Sequence, residues 1–315
     1  MIKEQRLNLK DIIDARNAIE KGENITDLLK EKKKLNYNSQ EIIALAYDLQ
    51  AGNYSKDADI IRPEFYNRRA EEVFDVVKPY IKKDYKILDV GSGELTMFSR
   101  ILEKCGAIKG LRAFGTDLSW SRLAEGIAQT SNRIPTNIDL KLSVADSQFL
   151  PFPTSSIDLV LTDHSLEPNG FRLEQILKEI FRVSKRYCIF IEPSNNLQDF
   201  DGRLRMEKLG YIFDLEAKIE KLGGDIVYKK PIENNYKSTN KAELLLVEVP
   251  DGNQAKRFEE SKHYYSYPGS DYILQKSEDF WLQRELNVLF PILHQIPILL
   301  EQNKILASSY LKFIK

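Results

Sequence analysis

Gly91 and Gly93 follow the apolar run Lys86-Ile87-Leu88-Asp89-Val90, and Asp117 closes a second apolar run 26 residues after the first glycine. A strand that ends in a glycine turn lets the backbone come close to a ligand, and an acid at the end of the next strand is placed to accept from ribose hydroxyls. The spacing therefore implies a nucleoside-bearing ligand. A pyrophosphate-binding turn needs a third glycine at position 96, and the chain has Thr96 there, so the dinucleotide fingerprint is incomplete. A lone Gly-x-Gly would equally suit an ordinary strand-to-helix turn. The acid of the second strand and the segment downstream weigh against that.

Downstream, Leu140, Leu142 and Val144 alternate as one strand face does, and Asp146 follows where a carboxylate can accept from an adenine amino group. Pro151 and Pro153 end regular structure, and the run Ile157 to Leu161 reads as a buried parallel strand. After it come His164 and Glu167. A hydroxyl is a poor nucleophile at neutral pH, so an oxygen-directed group transfer gains from a base such as His164, with Glu167 as a second choice. Glu192-Pro193-Ser194 is a further candidate for base or acceptor binding. The plainer alternatives are a histidine that packs under the ligand and carboxylates that cap loops.

The stretch Ile87-Leu88-Asp89-Val90-Gly91-Ser92-Gly93, with the Leu150-Pro151-Phe152-Pro153 segment and strand that follow, resembles class I S-adenosylmethionine-dependent methyltransferases. The resemblance implies an α/β fold, a Rossmann-like seven-stranded sheet with a reversed final hairpin. It also implies S-adenosylmethionine as cofactor, with Asp89 on the ammonium side, the Gly91-Ser92-Gly93 turn beneath, Asp117 and Leu118 around the ribose, and Asp146, Ser147 and Asp163 completing the pocket. His164 stands where such enzymes often place the residue facing the methyl acceptor. One departure is Glu94-Leu95, where the family often has another glycine, and it suggests a tighter or differently aimed turn.

At 315 residues the chain has room for one α/β domain and an appendage. Its 46 basic and 47 acidic residues leave a formal net charge of −1, so no global pull toward nucleic acid follows, although Lys30 to Lys34 form a local basic run. Cys105 and Cys188 suit a reduced compartment without a disulfide framework. The start of the chain is charged from Lys3 on, and no stretch is long enough to span a bilayer, so a cytoplasmic protein is expected.

Residues 1–80 read as a helical extension. Asn38-Ser39-Gln40-Glu41 looks like a cap with an acid inside the first turn, Gly52 stops that helix, and Pro63 starts another. These helices either cover the sheet edge or close over the ligand, where Tyr47, Tyr54 and Tyr66 would be available. The cofactor domain is expected at 81–252, with helices over 95–105 and 172–183, a strand over Tyr187 to Ile191, and late strands Asp225 to Tyr228 and Glu243 to Val249. The segment 259–315 pairs two apolar runs between Phe290 and Leu300 around a turn, with a helix expected over Asn303 to Ser308. It resembles the second half of a small zinc-ribbon-like methyltransferase activator module. Tyr267-Pro268 stands where metal-binding members have Cys-Pro, and His164, His263 and His294 lack ligand spacing, so a metal-free module held by Tyr265, Phe280, Trp281 and Phe290 is expected. The whole arrangement looks like methyltransferases of bacterial surface-polysaccharide or small-molecule biosynthesis, with a saccharide or other small molecule as acceptor. Methylation of RNA or protein, or a non-catalytic cofactor-binding scaffold, are the alternatives; nucleic acid is not favoured.

Overall fold

The computed structural model describes residues 6–250 and 264–310. His263 and the expected boundaries near 252 and 259 lie outside the described residues. The chain begins with α1 (Leu9–Glu20), α2 (Ile25–Lys33), α3 (Gln40–Asp48), the short α4 (Asn53–Lys56) and α5 (Pro63–Val77). Each of the first three starts at a side-chain cap, from Asn8, Asn24 and Ser39, which satisfies an otherwise orphaned amide. The cap of α3 is Ser39, one residue later than the expected box. Asn38 turns away to donate to Pro168 O and Leu209 O, and Glu41 accepts from the Leu7 amide. The basic run ending α2 is not a bare solvated face, because Lys32 and Lys33 pair with Asp11 on α1 at 3.1 and 2.6 Å.

The central region alternates β1 (Lys86–Val90), α6 (Phe98–Lys104), β2 (Arg112–Asp117), α7 (Trp120–Thr130), β3 (Asp139–Val144), β4 (Ile157–Asp163), α8 (Leu173–Val183) and β5 (Ser184–Pro193). Then come α9 (Phe200–Leu209), α10 (Leu215–Lys221), β6 (Asp225–Pro231) and β7 (Ala242–Glu248). The strand order is β3-β2-β1-β4-β5-β7-β6, parallel except for β7. This is the expected seven-stranded Rossmann-like sheet with its reversed hairpin. Chain order reverses between β1 and β4, so the carboxyl ends of these two strands open a crevice there. Strand β5 runs longer than the expected Tyr187 to Ile191, and β4 extends to Asp163.

Amphipathic helices seal both faces of the sheet. Leu173, Ile176, Leu177 and Ile180 recur at helical spacing along α8 and are fully or almost fully buried, each contributing about 1.5–3 kcal/mol of apolar burial. Helix α6 starts at Phe98, not at 95, because the chain is still turning: Leu95 is fully buried yet has φ +57°. That is the left-handed backbone for which a glycine is usual. The unusual residue thus keeps the glycine's conformation and sends an apolar side chain into the core.

Residues 264–310 form a small antiparallel sheet of β8 (Gln275–Lys276), β9 (Phe280–Gln283), β10 (Val288–Leu293), β11 (Ile296–Pro297) and β12 (Ile305–Leu306). The expected helix over Asn303 to Ser308 does not form. Glu301–Asn303 make one 3-10 turn, and Ile305–Leu306 pair with Leu289–Val288. A short β-rich stretch beside an open strand edge gains more hydrogen bonds as a strand than as a helix of one turn. Tyr265, Trp281 and Phe290 are buried, with the Tyr265 and Trp281 rings 5.0 Å apart. The module joins the edge of the main sheet at β3, where Leu299 donates to Val144 O at 2.8 Å.

Candidate active site

A cleft of about 770 Å³ lies over the carboxyl ends of β1, β2 and β4, large enough for a cofactor and a small acceptor together. Asp89, Gly91 and Ser92 from the first turn, Asp117 and Leu118 from the second, and Ser147 after β3 all face it. So do Asp163, His164 and Glu167 after β4. Gly93 and Asp146 sit differently. Arg122 roofs Gly93, and Asp146 turns Oδ1 back to the Gln148 amide at 2.9 Å.

The first turn is held from below. Gly91 N and Ser92 N both donate to Thr116 O at 2.8 Å, and Ser92 Oγ donates to Asp89 O at 2.9 Å. Gly91 has φ +76°, and a Cβ there would come within 2.3 Å of Ser165 Cβ, so only glycine fits. Asp117 accepts from Gly93 N at Oδ2 and from Ser119 N at Oδ1, both at 2.9 Å. A carboxylate has about four lone-pair sites, which leaves two to receive ligand hydroxyls.

Asp89 is buried against the cleft and has no basic side chain within ion-pairing distance among the described residues. Burial pushes its carboxyl up to about 7, and the charges of Asp163 and Asp117 push the same way. An uncompensated buried carboxyl facing a cleft is a fitting seat for a ligand ammonium. S-adenosylmethionine, with an ammonium at one end and ribose hydroxyls in the middle, matches Asp89 and Asp117 in chemistry and order.

At the other end of the cleft His164 holds a left-handed backbone, φ +53°. Its Nδ1 lies 2.8 Å from Glu167 Oε2, and its Nε2 is buried with no hydrogen-bond partner among the described residues. Burial alone would raise the Glu167 carboxyl, but hydrogen bonds from His164, Asn240 and Tyr211 hold it below the usual range. Glu192 takes the capping alternative. Almost fully buried, it accepts from the Ser165 and Leu166 amides at 3.1 and 3.2 Å and fixes the loop carrying His164.

Several partners escape a reading of the sequence. Arg122 packs its guanidinium over the Tyr47 and Tyr54 rings at 5.0 and 4.6 Å, with Nη1 3.7 Å from Asp117 Oδ2. Arg69, fully buried on α5, bonds Asp163 at 2.7 Å and lies over the Tyr236 ring at 4.4 Å. Tyr236 meets the His164 ring edge-on at 5.0 Å. Both arginines carry a periodicity signal. Arg122 shares a face with Gly126 and Thr130, and Arg69 lies among the buried Tyr66, Ala70 and Val73. Tyr211, Tyr236 and Asn240 sit outside helices and strands, where no pattern announces them. Tyr47, Tyr54 and Tyr66 of the N-terminal extension line the cleft.

Comparison with known proteins covers the same elements. Residues 88–191 match the family described as "Methyltransferase domain". The chain is similar to the mitochondrial arginine-hydroxylase NDUFAF5 of Danio rerio, 33% identical over 137 residues, which is 44% of this chain and 38% of that protein. It is also similar to the ubiquinone/menaquinone biosynthesis C-methyltransferase UbiE of Rhizobium meliloti (strain 1021), 26% identical over 147 residues, or 47% of this chain and 55% of that protein. The chain thus spans about half or less of the length of these curated relatives. Among solved structures, a chain from the complex of the Haloferax volcanii Trm112 methyltransferase activator with a putative methyltransferase aligns with TM-score 0.48 and 16% identity, covering 63% of this chain and 95% of that one. The family match runs from Leu88 in β1 to Ile191 in β5, within a sheet of the expected order, so the central region has the Rossmann-like methyltransferase fold.

Proposed function

We propose that the protein methylates a hydroxyl of a sugar or other small molecule, with His164 as the base. The observation that carries this reading is one continuous cleft joining the Gly91 turn to a histidine whose Nδ1 is engaged by a carboxylate and whose Nε2 is buried without a partner. Bound S-adenosylmethionine supplies an electrophilic methyl on a sulfonium. Asp89 would hold its ammonium and Asp117 and Leu118 its ribose, with Asp146 and Ser147 toward the adenine. Glu167 accepting from Nδ1–H selects the tautomer that leaves a lone pair on Nε2, and it stabilises the imidazolium formed when Nε2 takes the hydroxyl proton. Screening Nε2 from water keeps that base dry until an acceptor enters. The walls then hold nucleophile and methyl in line, which removes much of the entropic barrier.

Of the described residues, 6–80 serve here as an acceptor-side wall, and 264–310 as a metal-free ribbon-like module set against β3. Among the described residues no helix is long and apolar enough to cross a membrane, and a cytoplasmic enzyme belongs to the same reading. The test is incubation with methyl-labelled cofactor and fractionated cell extract. Label is expected in small molecules or glycans. Label confined to RNA or protein would replace the acceptor class, and consumption of arginine with no methyl transfer would point to hydroxylation, the activity named for one relative.

A further inference from the structure

Resting on that reading of the cleft, we propose that the acceptor is an anion, whose phosphate or carboxylate docks on Arg205 and Lys237 close to its reacting hydroxyl. Arg62, Arg122, Arg205 and Lys237 are the basic side chains lining the cleft. Arg62 is neutralised by Asp57, with Nε 3.0 Å from Oδ1, and Arg122 by Asp117 and Glu94 at 3.7 and 3.9 Å. Neither Arg205 nor Lys237 has a carboxylate within ion-pairing distance among the described residues. The nearby acids are already engaged. Asp57 accepts from Tyr66, Asp163 from Arg69 and Tyr236, and Glu167 from His164 and Asn240. Glu23, on the turn between α1 and α2, is the exposed carboxylate of the lining.

Arg205 is built into the site. Its Nη1 donates to Asn240 Oδ1 at 3.3 Å, and its guanidinium stacks on the Tyr211 ring at 5.3 Å. Asn240 in turn donates to Glu167 Oε2 at 3.1 Å. One side chain therefore separates the guanidinium from the His164–Glu167 pair, so a bound anion would sit beside the base. These contacts use only part of the five-donor fork, whose geometry suits the paired oxygens of a carboxylate or phosphate. Lys237, exposed in the connection from β6 to β7, adds a point charge at the rim.

The experiment uses the full chain with methyl-labelled cofactor and small-molecule extract, and the labelled product is run on an anion-exchange resin at neutral pH. Retained label is expected. Prior treatment of the extract with alkaline phosphatase should abolish labelling for a phosphate and spare it for a carboxylate. Arg205→Gln and Lys237→Gln should each raise KM about tenfold or more, with Arg205→Lys recovering part of the loss and S-adenosylhomocysteine affinity unchanged in all three. Label that flows through the resin uncharged, or unchanged KM in both glutamine variants, overturns the anion while leaving methyl transfer standing. No labelled product from any fraction removes both readings.

Discussion

The amide of Ser55 donates to Glu94 Oε2 at 2.6 Å, so the residue that follows the second glycine of the first turn also holds the N-terminal extension against it. Glu94 is almost fully buried, and Arg122 approaches its other oxygen at 3.9 Å. Glu94→Gln keeps the shape but removes the charge. We expect faster amide hydrogen exchange over residues 40–60 and an S-adenosylhomocysteine Kd weakened about three- to tenfold, in line with the ~1 kcal/mol scale of one charge-assisted bond. Unchanged exchange in that segment would show the contact to be incidental.

His164 occupies a left-handed backbone, so Ala there would add strain to the loss of the ring, whereas Asn tolerates the conformation. His164→Asn should lower kcat by about 10²–10⁴-fold with little change in cofactor Kd. Glu167→Gln should fall in between, because it leaves the ring present but its tautomer unselected. Equal losses in binding and turnover would assign His164 a packing role.

Asp89 should make the cofactor affinity depend on pH. Its folded-state value of about 7 lies above that of an unfolded aspartate, so the folded chain keeps a proton that the unfolded chain gives up, and stability declines as pH rises from about 4 to 7. Above 7 the full cost of the buried charge is carried. Asp89→Asn should therefore melt higher than the wild type above pH 7 without ligand. A ligand ammonium favours the charged form, so S-adenosylhomocysteine should bind more tightly as pH rises to about 7, with proton release seen by calorimetry in buffers of different ionisation enthalpy. The asparagine variant should lose that dependence.

Arg69 and Asp163 join α5 to the end of β4 through a buried pair at 2.7 Å. Arg69→Met leaves the Asp163 carboxylate facing Tyr236 alone and should cost about 3–5 kcal/mol in urea unfolding. A loss under about 1 kcal/mol would mean that the carboxylate is solvated from the cleft.

The strands, the two glycines and the acid at Asp117 are legible in the sequence because turns, alternation and strand ends leave marks at fixed spacing, whereas the reversed final hairpin and the place of His164 rest on the resemblance to methyltransferases. Helix α6 and the stretch 303–308 depart from their expected forms where that logic runs out. Leu95 adopts a glycine's backbone for the sake of a core contact, and Ile305–Leu306 take their state from a partner strand distant in sequence. The acceptor end is harder still. Tyr211 reaches Glu167 from one connection, while Tyr236 and Asn240 reach His164 and Glu167 from another, and only the folded sheet brings them together.

Calorimetric titration of the wild type and of Asp117→Ala with S-adenosylhomocysteine, alongside a nicotinamide dinucleotide, tests the cofactor assignment most directly. The wild type should bind S-adenosylhomocysteine one to one. Loss of the acceptor for the ribose hydroxyls should weaken binding by about 1.5–3 kcal/mol, tenfold or more in Kd, while the variant stays folded. No binding by the wild type, preference for the dinucleotide, or an unchanged Kd in Asp117→Ala would contradict it.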